Sequence, residues 1–522
     1  MSDYGAFTMS KYVALPKGVD EATFDRAIAE FRNIVGAEHV LHSAEALGPF
    51  LKIMIPAPIE AHAPSAAIAP ASVEEVQRIL AVCNHYKTPV WPVSTGKNFG
   101  YGSAAPATRG QIILDLKRMN RIIEVDPDLC TALVEPGVTY QQLYDYIKER
   151  NLPLWIDPPI PGPVAGPLGN TVERGVGYTP YGEHFLFSCG MEVVLADGQV
   201  LRTGMGAMPN SNTWQVFKWG YGPTLDGIFT QSSFGIVTKL GLWLMPAPPA
   251  YKPFVVRYPE HADIAKAIDT IRPLRIAQII PNAGTVSNAL WELAVINRRA
   301  DLYPQAEPIP DTTVLDLAKK HGVGAWNVYT ALYGTEETIA AHWKIVTAAF
   351  NASGGTVLTQ EDVGPDDPLF NYRRDVMRGD LTMREFGLYN WRGGGGSMWF
   401  SPVSQARGSE TLKQMGLARR VLDKFGIDYV GLFVIGWRDM HHIIDILYDR
   451  GQPEAMAKAR RCYDELLDDF AREGYGVYRT NIDFMAKVAK LYGPVKAKVN
   501  RRIKRALDPN GILAPGKSGI HG

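Results

Sequence analysis

The chain has 522 residues, 46% hydrophobic and 21% charged, with 54 basic side chains balanced by 54 acidic ones. That is an ordinary globular composition, long enough for two or three domains, and its neutral balance gives no electrostatic reason to bind nucleic acid or a membrane surface. No run approaches the roughly 18 apolar residues that cross a bilayer, and the opening MSDYGAFTMSKYVALPKG lacks the basic segment and apolar core of a secretory signal.

Asp20 is placed to cap a helix whose Phe24, Ile28, Phe31 and Val35 share one face. Ser72-Val-Glu-Glu75 is a capping box opening a helix through about Tyr86, which leads into a short strand near 89–93. STGKNFGYGS (94–103) follows that strand and is dominated by small residues, a composition that lets backbone N–H groups approach phosphate oxygens. It is neither a Walker loop nor a G-x-G-x-x-G fingerprint, and from composition alone a glycine-rich turn is the simpler reading. QIILDL (111–116), RIIEVD (121–126) and TALVEPG (131–137) are strand-like, and Thr139-x-x-Gln142 repeats the capping box with Leu143, Tyr146 and Ile147 behind it. GPLGNTVERGVGYTPYGEH (166–184) holds five glycines and two tyrosines and reads as a tight loop with buried aromatics. CGMEVVLADGQVLRTG (189–204) reads as a hairpin turning at Asp197-Gly198. Strands and helices alternate without the regular spacing of a doubly wound fold, so an α+β arrangement is expected.

MPAPPAYKP (245–253) is the clearest boundary, because its prolines are expected to exclude both helix and central strand. The four cysteines, Cys83, Cys130, Cys189 and Cys462, have neither metal-ligand nor disulfide-framework spacing, and no C-x-x-C-H is present, so neither a metal nor a c-type haem is expected on this chain. In LYNWRGGGGSMWFSP (388–402), four consecutive glycines follow Arg392 inside a run rich in aromatics. Strand interiors disfavour glycine, so the run suggests a backbone passing close to something large and flat. Arg438-Asp-Met-His-His442 places two histidines about 100° apart if helical, unable to chelate one metal as neighbours. Asp445, four residues after His441, then shares its face, and by itself this is a structural His–Asp pair. Tyr478-Arg479, taken alone, is an ordinary surface arginine beside a tyrosine. The basic run Lys487, Lys490, Lys496, Lys498, Arg501, Arg502, Lys504 and Arg505 reads as a solvated helix face.

STGKNFGYGSAAP (94–106) together with LYNWRGGGGSMWF (388–400) resembles the vanillyl-alcohol oxidase flavoprotein family, over nearly the whole chain. The resemblance implies an α+β, two-domain vanillyl-alcohol-oxidase-like (PCMH-type) FAD-binding fold with an α+β cap domain. Residues 1–250 would form the FAD-binding domain, with its core at about 60–250. Residues 251–460 would form the cap or substrate domain, and 461–522 a segment returning to the FAD domain. It implies FAD as cofactor, covalently held through Tyr389. Ser94, Thr95, Gly96, Lys97, Asn98 and Gly100 would belong to the pyrophosphate loop. Glu135, Gly137, Gly166, Gly169, Asn170, Gly175, Gly177, Gly235 and Val237 would be further flavin contacts, and Lys517 a cation near the isoalloxazine that stabilises the anionic reduced flavin. Tyr101, Tyr478 and Arg479 match the family's phenolate-binding trio. Tyr178, Glu385 and His441 match active-site positions, His441 as a proton acceptor near the benzylic carbon.

The activity so implied is that of a flavin-dependent 4-alkylphenol dehydrogenase (hydroxylating). Such an enzyme acts on 4-cresol, 4-ethylphenol, 4-propylphenol or eugenol-like phenols through a quinone methide and water addition. A separate c-type cytochrome subunit would take the electrons, the flavoprotein would be a homodimer, and the compartment periplasmic or cytoplasmic. The chain departs from its relatives in places. Oxidase members tether FAD through a histidine where this chain has Ser397, and carry an aspartate near flavin N5 where DPPIPGPVAGPLGN (157–170) offers only Asp157, several residues early. Both departures favour the dehydrogenase branch over a vanillyl-alcohol- or eugenol-type oxidase that uses dioxygen and makes hydrogen peroxide. Leu432 stands where the dehydrogenase branch has a glutamate, which makes that part of the substrate pocket more apolar. A non-catalytic flavin- or carbohydrate-binding protein on the same scaffold is disfavoured by the intact Tyr101, Tyr389, Tyr478 and Arg479.

Overall fold

A computed structural model describes residues 11–160 and 162–522; most of MSDYGAFTMSKYVALPKG, and Pro161 within 157–170, lie outside the described residues. The first helix, Glu21–Val35, is capped by the Asp20 carboxylate, which accepts the Thr23 N–H, and buries Phe24, Ile28, Phe31 and Val35 as the periodicity predicts. Ser72 accepts the Glu75 N–H at the head of Val73–Tyr86, and Thr139 and Gln142 cap Tyr140–Glu149 reciprocally.

A small sheet takes the order Val40–Leu41, Ala66–Ile68, Ile112–Asp115, Val90–Val93, and its last three strands are parallel. Strand periodicity splits its residues between two cores. Ala66, Ile68, Val90, Ile112 and Leu114 face the two N-terminal helices. Ala67, Trp91, Val93 and Ile113 face Met398, Phe400, Ile444, Ile446 and the Cys462–Leu467 stretch of the long helix Pro453–Arg472. The chain end returns to this sheet, where Val90 N–H donates to Ile512 O at 2.8 Å and Ala514 N–H to Val90 O at 2.7 Å.

A five-stranded antiparallel sheet follows, ordered Ile122–Asp126, Thr131–Val134, Ile236–Trp243, Ser188–Val194, Val200–Arg202. Its 188–202 hairpin turns at Asp197-Gly198 as expected, with Gly198 at φ +85° and Gln199 N–H bonded to Asp197 Oδ1. The largest sheet has eight strands, antiparallel throughout. Its main path runs Thr356–Leu358, Ala250–Tyr258, Trp326–Gly334, Gly284–Asn288, Gly431–Ile435, Asp439–Tyr448, Gly396–Phe400, with Val403–Gln405 paired beside Asp439–Tyr448.

One expectation is sharpened here and two are corrected. Pro253 sits inside the nine-residue strand Ala250–Tyr258. Its second neighbour pairs only Val255–Arg257, so at Pro253 the strand is an edge, where proline removes no ladder bond on the open side. Asp439–His442 is strand, not helix. In the basic run, Lys504 is buried and bonded to Asp508 at 2.6 Å, so that helix face is not wholly solvated. Among the described residues no helix is long and apolar enough to cross a membrane.

Candidate active site

One cavity is walled by residues from all along the chain: 91–99, Tyr101, Ser103, Leu116, Ile160, several of 165–173 and of 229–237, Trp399, Arg479, Ala514 and Lys517. Of the predicted contacts it gathers Ser94, Thr95, Gly96, Lys97, Asn98, Tyr101, Gly166, Gly169, Asn170, Gly235, Val237, Arg479 and Lys517. Small residues are needed where its loops cross. A Cβ on Gly169 would lie 2.0 Å from Ser94 Oγ, so the second loop packs against the first only because position 169 has no side chain. Lys517 forms an ion pair with Glu173, 344 residues away, and Gln231 donates from its Nε2 to the Tyr478 carbonyl at 2.9 Å. The charge at Lys517 is therefore shared with a carboxylate of the same wall.

Other predicted contacts lie outside this lining, with local roles. Glu135 is buried and takes the Arg121 guanidinium at 2.7 Å and the Arg121 N–H at 2.9 Å. Gly137 backs onto the Lys117 carbonyl, and Gly100 onto the Trp399 indole. Gly175 and Gly177 leave room for the side chains of Asn170 and Asp157, which Cβ atoms there would strike at 2.0 and 1.9 Å. Asp157 in turn accepts the Tyr178 N–H at 2.9 Å and the Thr179 hydroxyl at 2.9 Å, fixing the second loop; the sequence reading had noted it only as an acid standing too early. In the four-glycine run, Gly393, Gly394 and Gly395 have φ of +75°, +64° and +69°, a left-handed turn with Gly394 packed on Asp449. The turn enters the strand Gly396–Phe400, where Gly396 lies against the Tyr448 ring.

At one end of the cavity the three groups read as a phenolate site come together. The Arg479 guanidinium lies 4.3 Å from the Tyr101 ring centroid and donates to Asn98 Oδ1 at 2.6 Å. Arg479 makes no ion pair with a carboxylate among the described residues. Burial raises the Tyr101 phenol well above its ordinary pKa, the neighbouring Tyr478 adds to this, and Arg479 opposes it. Tyr478 stacks on His441, centroids 4.4 Å apart and planes 20° apart. The His441 Nε2 lies 3.3 Å from Asp439 Oδ2, so its acidic partner is Asp439 rather than Asp445, a consequence of strand geometry. His442 points to the opposite face, stacked on Phe433 at 4.1 Å and bonded to Tyr429 at 2.8 Å. Tyr178 and Tyr478 pack with Leu432, Ile443, Phe386 and Tyr389 in one apolar cluster that includes the cavity residue Ile160. Glu385 is buried, accepts the Tyr372 hydroxyl at 3.3 Å and lies 3.6 Å from Arg373; burial raises its pKa against the pull of that arginine. Tyr178 feels Glu385 in turn, and its phenol is raised by burial first and by that carboxylate second.

Beside these groups Gly396–Phe400 pairs with Asp439–Tyr448, and Trp399 meets the Tyr101 ring edge-on with centroids 5.9 Å apart. Trp399 stands opposite Asp445, and Ser397 opposite Leu447. Ser397 Oγ donates to Asp445 Oδ1 at 2.6 Å, both residues being wholly buried. Tyr389 sits on the 3-10 turn Arg384–Asn390, its ring stacked on Phe386 at 4.8 Å. Ser397 is noted in the sequence only as the place of the oxidases' histidine, and Trp399 not at all; period-two alternation in that strand is the signal that places both beside Asp445.

Buried polar atoms without a protein partner gather around this cavity: Tyr101 Oη, Ser103 Oγ, Ser232 Oγ and Trp399 Nε1 on lining residues, with Tyr389 Oη close by. Buried polar groups are ordinarily bonded. A long polar ligand with a planar head therefore fits the residues present, as FAD has both.

The sequence matches the FAD binding domain family over residues 64–204 and the FAD linked oxidases, C-terminal domain family over 297–518. It is 56% identical to the 4-cresol dehydrogenase [hydroxylating] flavoprotein subunit of Pseudomonas putida, over 97% of either chain. The fold superimposes on p-cresol methylhydroxylase with substrate bound, with a TM-score of 0.96 and 55% identity, covering 97% of this chain and 99% of that one. It also superimposes on the 4-ethylphenol oxidase of Gulosibacter chungangensis in an isoeugenol complex, with a TM-score of 0.95 and 36% identity over the same shares.

Proposed function

This chain belongs to the family of the 4-cresol dehydrogenase flavoprotein subunits, FAD-dependent oxidoreductases, and from that premise we propose how its own residues carry out the oxidation of para-alkylated phenols. Residues 1–250 and 461–522 hold FAD, and 251–460 cover the substrate. The loop Ser94–Asn98, the Gly166–Asn170 stretch, Gly235, Val237 and Lys517 contact the cofactor, and Tyr389 tethers it covalently. Bound there, FAD supplies a two-electron acceptor for the benzylic hydride of the substrate.

The observation that carries the reading is Arg479, a guanidinium on the cavity wall that has a hydrogen-bond acceptor in Asn98 and a ring in Tyr101 but no carboxylate. A low-dielectric wall with an unpaired cation and two phenol groups favours an anion that brings its own aromatic ring. A substrate phenolate is such an anion. Held by Arg479, Tyr101 and Tyr478, it pushes electron density toward its para carbon, from which hydride leaves. The product of that loss is a p-quinone methide, and water adds to its benzylic carbon to give the 4-hydroxybenzylic alcohol. His441, fixed by its stack on Tyr478 and its bond to Asp439, is the group assigned to take the proton of the added water. A separate c-type cytochrome subunit takes the electrons onward, in keeping with the relative's description as a flavoprotein subunit.

Anaerobic addition of 4-ethylphenol is expected to bleach the flavin absorbance, with reoxidation by ferricytochrome c far faster than by air. The methyl ether of the same phenol, which cannot ionise, is expected to leave the flavin yellow. Bleaching by the ether overturns the phenolate reading. Fast reoxidation by dioxygen with hydrogen peroxide as product makes the chain an oxidase instead.

A further inference from the structure

We propose that Asp439 is a positioning residue for water addition: its carboxylate holds His441 with a proton on Nε2 and a lone pair on Nδ1, and passes the proton that His441 takes from water out to solvent. The inference rests on the reading of His441 as the acceptor of that proton.

Asp439 and His441 stand two apart on the strand Asp439–Tyr448, so their side chains share one face. His441 Nε2 lies 3.3 Å from Asp439 Oδ2. A carboxylate only accepts, so the ring nitrogen that faces it carries the hydrogen, and the other nitrogen is the basic one. That nitrogen, Nδ1, is buried without a protein partner among the described residues. His442 is the contrasting case. It faces a hydroxyl, that of Tyr429, and burial pushes it down to about 3, so near neutral pH it takes up no proton.

Beside the Asp439–His441 pair lies a hollow of about 10 Å³, with Val176, Glu183, Ala283, Val434, Asp439 and His441 among its walls. That is the space of roughly one water. Ala283 and Val434 also belong to the apolar cluster of Tyr178, Leu432 and Tyr478, so the hollow backs onto the substrate region. Its other side reaches solvent: Glu183 is exposed, and the Asp439 side chain is 46% exposed against 12% for His441. Gly436 leaves the room that this carboxylate fills, because a Cβ there would stand 2.5 Å from Asp439 Oδ1. The other charged groups of this corner are Glu183 and Arg275, whose guanidinium donates to the Ile435 carbonyl at 3.2 Å and the Ile280 carbonyl at 2.9 Å. The bond to His441 is the first of the influences that hold the Asp439 carboxyl below its ordinary range, and the Arg275 charge adds to it.

The step balances without an oxidant, since the hydride has already left. The water oxygen bonds to the benzylic carbon, and the electron pair of the exocyclic double bond returns to the ring and the phenol oxygen. One proton of that water goes to His441 Nδ1, the Nε2 proton goes to Asp439, and Asp439 releases it to solvent.

The quinone methide of 4-ethylphenol has a second fate that consumes no water: loss of a proton from its methyl group gives 4-vinylphenol. Both products come from one intermediate, so their ratio does not depend on how much of a preparation is active. The test turns over 4-ethylphenol with the holoenzyme and ferricyanide in oxygen-18 water, and separates 4-vinylphenol from the alcohol, counted with any ketone formed from it. Asp439→Asn is expected to raise the ratio of vinylphenol to alcohol by at least roughly tenfold, part of the hundredfold or more that a positioned base contributes. An amide also donates, and so permits the ring to carry its hydrogen on Nδ1. Gly436→Ala, which displaces the carboxylate without removing it, should shift the ratio the same way, and Asp439→Glu should bring it back toward wild type. A merely structural Asp439 would lower the melting temperature at an unchanged ratio. Wild-type ratios in Asp439→Asn and Gly436→Ala, with label in the alcohol, overturn the proposal and leave water addition standing. Wild-type alcohol without label removes water addition, and the proposal with it.

Discussion

Arg373 and Arg479 are both enclosed by tyrosines, yet their surroundings differ in charge. Arg373 lies in the core of the eight-stranded sheet, 2% exposed, with Glu292 at 3.3 Å, Glu385 at 3.6 Å and Thr285 at 3.0 Å, and with the rings of Tyr372 and Tyr329 at 4.8 and 5.1 Å. Arg479, on the cavity wall, keeps the ring contact and one neutral acceptor and has no carboxylate. The first cation is more than neutralised, and the surplus negative charge falls on Glu292 and Glu385, whose pKa values burial raises. The second has no carboxylate within ion-pair reach among the described residues, only the more distant Glu173, which Lys517 already holds. The same side chain serves in one place as the centre of a closed network and in the other as half of a pair whose other half is a ligand.

The largest way to break that contrast is to truncate each arginine. Arg373→Ala leaves two buried carboxylates without their partner, a change of about 3–5 kcal/mol in stability. It should lower the melting temperature sharply or prevent folding. Arg479→Ala should keep the melting temperature and FAD content near wild type but lower kcat/KM for a 4-alkylphenol by roughly two to three orders of magnitude, the same energy read in the transition state. The comparison fails if the losses are exchanged, with Arg479→Ala unfolding the protein and Arg373→Ala leaving its stability intact.

A second prediction sharpens the role of Arg479 without touching the protein. The ratio of kcat/KM for a 4-alkylphenol to that for its methyl ether should exceed roughly a hundredfold in wild type, and should collapse toward one in Arg479→Ala, because only the phenol offers the anion. A third concerns the tether. Tyr389→Phe should bind FAD yet release all of it on acid precipitation, with a smaller effect on kcat than that of Arg479→Ala, since the tether holds the cofactor but does not touch the substrate. Yellow protein after precipitation of Tyr389→Phe means that another residue carries the flavin.

The two regions were not equally legible in the sequence. Local signals carried well: the caps at Asp20, Ser72 and Thr139 and the Asp197-Gly198 hairpin depend on neighbours a few residues apart, and each is found where the residue pattern puts it. The joining of Tyr101, Tyr478 and Arg479 was legible only through family resemblance, because no local rule brings positions 101 and 479 together. Asp439–Tyr448 was misread because both faces of that strand are buried: a run such as His441-His-Ile-Ile-Asp445 shows neither clear alternation nor a polar helical face. That misreading hid Asp445, whose strand partner is Trp399. Of the network around Arg373 only Glu385 was legible, through the resemblance, since the other members carry no motif.

The smallest effect concerns Leu432, which lies on the apolar side of the substrate region. It is 3% exposed and packs with Tyr178, Phe386, Tyr389, Tyr478 and Ile443. Alternation on its strand puts Leu432 and Val434 on this face and Phe433 and Ile435 on the other. The side chains packed there are apolar or aromatic, so a carboxylate at position 432 would be costly without solvent, a proton or an arginine to pair with. An alkyl or methoxy group laid against leucine gains about 0.8 kcal/mol per buried methylene, roughly a fourfold preference. Wild type should therefore favour 4-ethyl-, 4-propyl- or 2-methoxy-4-alkylphenols over 4-cresol by kcat/KM, and Leu432→Glu should move the ranking back toward 4-cresol. Because Arg479 and Tyr101 act on the phenol oxygen, common to every member of the series, their variants should lower all the rates together and leave the ranking alone. A reordering by Arg479→Lys, or none by Leu432→Glu, would mean that chain length is read at the charged end of the cavity and not at its apolar wall.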